Sequence, residues 1–103
     1  MFTIRKMNID DYTDVYSLWL SCKGMGLNDI DDSKDGISRY LSRNPNTCFV
    51  AICDKMVVGV ILSGHDGRRG FIHHTAVNPN YRNMGIASSL LDNALIALRN
   101  EGI

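Results

Sequence analysis

The stretch Val77-Asn78-Pro79-Asn80-Tyr81-Arg82-Asn83-Met84-Gly85-Ile86-Ala87 constrains this chain more than any other. An apolar run precedes it, Pro79 breaks it, and a long segment with apolar residues at helical spacing follows Gly85. That pattern predicts a strand, a tight loop and a helix. The loop carries a cation, Arg82, and puts a residue without a side chain at the helix entrance. Backbone N–H groups at a helix N-terminus have no intrahelical acceptors, and the helix dipole adds to their pull on an anion. A glycine there lets a phosphate approach the backbone. The residues therefore predict a phosphate-binding turn. Ser88 and Ser89, in the first turn of the helix, are either further donors or small packing residues.

The string Arg-x-x-Gly-x-Ala at 82–87, preceded by Thr-Ala-Val-x-Pro at 75–79, resembles the acetyl-coenzyme A loop of the GCN5-related N-acetyltransferases (the GNAT superfamily). The resemblance implies that Asn83, Met84, Gly85, Ile86 and Ala87 offer backbone N–H groups to the coenzyme A diphosphate, with Arg82 adding charge-assisted hydrogen bonds. It implies that the pantetheine arm pairs with the backbone of Thr75, Ala76 and Val77, and that Val77 supplies the N–H donor for the developing oxyanion. No metal is expected. Other phosphate motifs, Gly-x-x-x-x-Gly-Lys-Ser/Thr and Gly-x-Gly-x-x-Gly, do not occur, which disfavours an NTPase or a dinucleotide site.

The flanking pattern agrees. Phe2–Arg5 reads as a strand. Asn8-Ile9-Asp10-Asp11 opens a helix with an apolar face of Tyr12, Val15, Tyr16, Trp19 and Leu20, ending near Cys22–Gly24. Residues 24–32 form a polar connector, either a plain link or a binding loop. Ser33 caps a second helix with Ile37, Tyr40 and Leu41 inward, and Asn44-Pro45-Asn46 stops it. Thr47–Cys53, Met56–Ser63 and Phe71–Val77 read as a three-strand meander, turned at Asp54-Lys55 and at the polar segment 64–70. Gly59 inside the second of these marks a bulge or a close backbone approach. The last helix, 85–100, shows a broad apolar face of Ile86, Ala87, Leu90, Leu91, Ala94, Leu95 and Leu98. The order is β-α-α-β-β-β-α. The expected class is α/β (α+β), a mixed, mostly antiparallel GNAT-like sheet in one domain, 1–103. The resemblance implies further C-terminal strands and a helix, so the domain is expected to be incomplete.

The chemistry of the strand before the loop is unusual. A lysine-like amine costs about 4.6 kcal/mol to deprotonate at pH 7, so amine acylation needs a proton acceptor or a desolvating site. Ten of the eleven acidic residues are Asp, and Glu101 at the far end is the only Glu. The strand offers His73 and His74 instead. Alternation would put His73 on one face with Phe71, Thr75 and Val77, and His74 on the other. His73 resembles the strand histidine of the serotonin N-acetyltransferase branch and is the candidate base. The family's thiolate-protonating Tyr has no match among Tyr12, Tyr16, Tyr40 and Tyr81.

Composition narrows the rest. Eleven basic and eleven acidic residues cancel, giving no reason to expect nucleic acid or an anionic membrane. The apolar runs are too short to span a bilayer and the N-terminus has no signal-peptide core. Cys22, Cys48 and Cys53 are an odd set, and Cys48 and Cys53 have opposite strand parity, so no disulfide is expected and a reducing, cytoplasmic setting is. The expected function is transfer of acetyl from acetyl-CoA to an amine. The alternatives are a non-catalytic coenzyme A-binding module and an oligomerisation unit. An open edge on the last strand predicts a homo-oligomer.

Overall fold

A computed structural model describes residues 1–103. The elements are β1 (Thr3–Lys6), α1 (Tyr12–Leu20), α2 (Lys34–Arg43), β2 (Phe49–Cys53), β3 (Met56–His65), β4 (Gly70–Val77) and α3 (Ile86–Asn100), with short 3₁₀ turns at Ile9–Asp11 and Pro79–Tyr81. The strands form one antiparallel sheet in the order β1-β2-β3-β4. The element order and class expected from the sequence are those observed.

Side-chain chemistry satisfies free N–H groups where the first two helices begin, whereas α3 has no side-chain cap. Asn8 and Asp11 form a reciprocal capping box on the 3₁₀ turn that leads into α1. Ser33 accepts from Gly36 N at 3.0 Å and opens α2. The β2–β3 hairpin turns on Asp54 and Lys55, both with positive φ (52° and 64°), as a two-residue hairpin loop with right-handed twist requires.

Strand alternation splits the core into two layers. Val50 and Cys48 face α1 and α2 with Val15, Leu18, Trp19, Ile37 and Leu41, while Phe49, Ala51 and Cys53 face α3 with Ile86, Leu90 and Ala94. Cys48 and Cys53 thus lie on opposite faces, and all three cysteines are free thiols. Burial pushes the Cys48 thiol up to about 11, against the lowering effect of its bond to the Ser63 backbone, so it packs as a small hydrophobe.

Two bulges interrupt this alternation. On β3, Ala51 pairs with Gly59 and Ile52 with Val57, which leaves Val58 as an extra residue. Val58 therefore faces α3 while Val60 and Leu62 face α1. Gly59 also makes the close approach its sequence position suggests: a Cβ there would lie 2.8 Å from Ile86 Cγ2. On β4, Leu62 pairs with His73 and Val60 with Ala76, so β4 holds two residues where β3 holds one. His74 is in this bulge with φ 43°.

Some expected apolar contacts do not form. Leu20 is 66% exposed, because its position on α1 points away from the sheet. Ala87, Leu91 and Leu95 are exposed on the outer side of α3, whose sheet-facing stripe is Ile86, Leu90, Ala94 and Leu98. No helix is long and apolar enough to cross a membrane.

Candidate functional site

The loop after β4 is built by its own polar groups. Asn78 N donates to Val58 O at 2.8 Å, which anchors the strand exit to β3. Asn78 Oδ1 then accepts from Asn80 N at 2.9 Å, and Pro79 occupies the first position of the 3₁₀ turn. Arg82 returns to extended backbone (φ −74°, ψ 162°). Asn83 (φ 65°) and Gly85 (φ 81°) take left-handed conformations, and α3 begins at Ile86. The first loop-side bond into α3 is Ser89 N to Gly85 O. The N–H groups of Asn83, Met84, Gly85, Ile86 and Ala87 donate to no backbone acceptor in the chain. Ser88 N is likewise without a backbone acceptor, so six free donors run from the loop into the positive end of a fifteen-residue helix.

A cleft of about 410 Å³ lies against these donors. Thr75, Ala76 and Val77 form its strand side, and Arg82, Asn83, Gly85, Ile86 and Ala87 its turn side. The structure thus brings together eight of the nine residues predicted to hold the donor. Met84 is not in the wall of the cleft; its side chain is 42% exposed. Ser88 and Tyr81 line the cleft, whereas Ser89 does not. The space above Gly85 is open, with nothing within 4 Å of a Cβ built there. Glycine is required at that point by the backbone conformation, and it leaves room for an approaching group.

The same strand lines a second cleft, of about 450 Å³, on the α2 side of the sheet. Here the alternation expected for β4 fails. Both His73 and His74 line this cleft, because the bulge turns His74 onto the face that His73 already occupies. Val77 packs with the α3 layer and Ala76 with the α1 layer, so His73 does not share a face with Val77.

The two histidines differ in their commitments. His74 Nε2 meets Asp32 Oδ1 at 2.8 Å, its ring stands edge-on to Trp19 at 5.1 Å, and its carbonyl accepts from Trp19 Nε1 at 3.1 Å. Asp32 is buried and also accepts from Asn28 N at 2.8 Å through Oδ2. Its carbonyl accepts from the Tyr12 hydroxyl at 2.7 Å. Burial, then the neighbouring Tyr16 and Asp32, raise the Tyr12 hydroxyl above its usual range. His73 is exposed, stacks on Phe71 at 6.2 Å and meets the Tyr40 ring edge at 6.0 Å. Tyr40 is pushed up to about 12, first by burial and then by Cys48, so it remains a neutral phenol.

Sequence reading missed Asp32, Trp19 and Tyr40 as members of one site. Residues 24–32 read from the sequence as either a plain link or a binding loop, and the structure brings their end, Asp32, against β4. No local signal announces a contact across 42 residues.

The comparisons with known proteins decide the family. A model described as the acetyltransferase (GNAT) family matches residues 12–103. The chain belongs to this family. An acetyltransferase of Sodalis glossinidius is 38% identical over 88 residues, which cover 85% of this chain and 61% of that protein. One from Photorhabdus laumondii is also 38% identical, over 85% of this chain and 60% of that protein. The chain thus spans about three fifths of the length of these GNAT relatives. Among solved structures, PaiA N-acetyltransferase from Thermoplasma acidophilum, in complex with coenzyme A, superposes with a TM-score of 0.82 at 19% identity, over 100% of this chain and 75% of that one. A GNAT acetyltransferase from Staphylococcus aureus gives 0.83 at 19% identity, over 100% and 69%. These likenesses establish a GNAT fold.

Proposed function

We propose that this chain forms the acetyl-CoA-binding part of an N-acetyltransferase that transfers acetyl to an amine. The observation that carries the reading is the set of six free N–H groups, Asn83 to Ser88, at the α3 N-terminus, beside Arg82 and with open space at Gly85. Such a set fits a diphosphate: backbone donors, a neighbouring cation and no side chain at Gly85 in the way. Acetyl-CoA supplies the activated acyl group as its thioester.

In this reading β4 does two jobs. Its outer edge has no neighbouring strand, so its outward backbone groups are available to an extended arm. Thr75, Ala76 and Val77 take the pantetheine arm there, and the Val77 N–H faces the developing oxyanion. His73 is the base that takes the amine proton. Its ring is exposed at the cleft, whereas His74 is held by Asp32 and Trp19 and positions the bulge.

The same open edge supports a homo-oligomer. Phe71 and Ile72, on successive positions of β4, are 45% and 41% exposed. A second copy pairing at the Gly70–Ile72 end of that edge, short of Thr75, would border both and leave the arm's positions free. Sedimentation at high concentration should show a species heavier than the monomer, and a clean monomer would exclude this arrangement. The free thiols favour a reducing, cytoplasmic setting.

Two measurements test the main reading. Titration calorimetry should show coenzyme A binding that weakens with salt and with Arg82→Ala. Thiol release from acetyl-CoA with an amine panel should show turnover, and His73→Gln should remove the acid limb of its pH profile. Binding without turnover for any amine would leave a coenzyme A-binding module. No binding would leave the oligomerisation unit.

A further inference from the structure

The α2-side cleft is charged in a way that its own contacts do not explain. Arg39 and Arg43 line it one helical turn apart, on one side of α2. The ion pairs of the chain are Arg5–Asp11, His65–Glu101 and His74–Asp32, so neither arginine has a carboxylate partner. Asp32, also in the lining, is committed to His74 and Asn28 N. Asp31 accepts from Asn28 Nδ2 at 3.3 Å and is the one remaining acidic group. The cleft therefore carries two unpaired guanidinium groups against one solvated carboxylate. The neutral Tyr40 phenol stands between them in sequence and lines the same wall.

Position gives this charge a role. Along β4, His73 and His74 line this cleft and the next residues, Thr75 and Ala76, line the donor cleft. A molecule seated under α2 thus reaches the strand where the donor edge begins. Its volume, about 450 Å³, suits a small ligand.

We propose that the acceptor is a small amine that also carries a carboxylate, with the carboxylate held by Arg39 and Arg43 and the amine directed toward His73. The proposal rests on the acetyltransferase reading of the same strand. Paired guanidinium groups match a carboxylate geometrically and retain their charge at any working pH. In the transfer, the ammonium gives one proton to His73. The amine nitrogen then bonds to the acyl carbon as the C–S bond breaks, and its second proton ends on the coenzyme A sulfur. The carboxylate takes no part in bond making; it anchors.

The test compares L-amino acids with their primary amides, which keep the amine and lose the negative charge. Binding to the full chain is followed by NMR shifts of the His73 and His74 signals, and turnover by thiol release. Acids should bind about 10-fold to 100-fold more tightly than amides, the range for a charge-assisted contact. Arg39→Gln/Arg43→Gln should erase that preference while coenzyme A affinity, read by calorimetry, stays the same. Arg39→Lys/Arg43→Lys should keep part of it. Equal binding of acids and amides, or a preference that survives the double Gln variant, overturns the proposal. Turnover without a carboxylate preference refutes it and leaves the transferase reading standing. Arginine-dependent binding of acids without turnover of any amine overturns the acceptor assignment together with the transferase reading.

Discussion

The Asp32 carboxylate lies 2.8 Å from the His74 imidazole and ties the α1–α2 connector to the bulge of β4. Asp32 is almost fully buried, and His74 sits at a φ of 43°, a conformation uncommon for a side-chain-bearing residue. The contact therefore holds a strained backbone in place. Replacing Asp32 by Asn should cost about 2 kcal/mol, the scale of a hydrogen bond to a charged group. A double-mutant cycle with His74→Asn should give a coupling of about 1 kcal/mol in urea denaturation. Additive effects would mean that the two side chains act independently.

Gly59 and the start of α3 are in close register. A Cβ at position 59 would lie 2.8 Å from Ile86 Cγ2, 3.1 Å from Leu90 Cδ1 and 3.3 Å from Ala51 Cβ. Gly59→Ala should destabilise the fold by about 1–3 kcal/mol through overpacking. It should also weaken coenzyme A binding in calorimetry, because Ile86 opens the helix whose N–H groups form the proposed diphosphate site.

Gly85 separates backbone strain from packing. Its φ is 81° and no atom would touch an added Cβ. Gly85→Ala should therefore cost about 1 kcal/mol of stability, from the left-handed conformation alone. Its effect on coenzyme A affinity should be larger, about tenfold or more, since the methyl would stand in the proposed phosphate approach. Equal losses in both would show that the methyl meets no ligand.

Asp11 couples stability to pH. Burial raises its carboxyl, but the Arg5 guanidinium at 2.7 and 2.8 Å and the Asn8 N–H outweigh that and hold it below its usual range. A depressed folded value contributes stability above the unfolded value of about 3.9, and the contribution is lost as pH falls through the folded value. Asp11→Asn should cost about 1–2 kcal/mol at pH 7, a figure reduced because Arg5 is 46% exposed and solvent screens it. The gap between variant and wild type in denaturation midpoints should close on going from pH 6 toward pH 2.

The β2–β3 hairpin holds two side-chain-bearing residues in the left-handed region, Asp54 and Lys55. Lys55→Gly should stabilise the chain by about 0.5–1 kcal/mol, the gain from relieving positive φ less the added freedom of the unfolded chain. A raised thermal midpoint with unchanged coenzyme A binding checks it.

The sequence by itself determined the elements, their order, the family and the strand–turn–helix at 77–87. Those are local properties. Helical spacing marks α1, α2 and α3, Ser33 and Pro79 mark element starts, and Arg82 to Ala87 carry the turn within six residues. The sequence also flagged Gly59, because a glycine inside a strand has few other reasons to be there. Tertiary structure decided the faces of β4. Simple alternation separated His73 from His74, yet the bulge places both on one cleft, since Trp19 and Asp32 grip His74 from 55 and 42 residues away. The same packing chose which apolar residues of α3 face the sheet and left Leu91 and Leu95 outside. A two-residue period is a property of the backbone alone, whereas a bulge is set by the side chains of other elements that close on it.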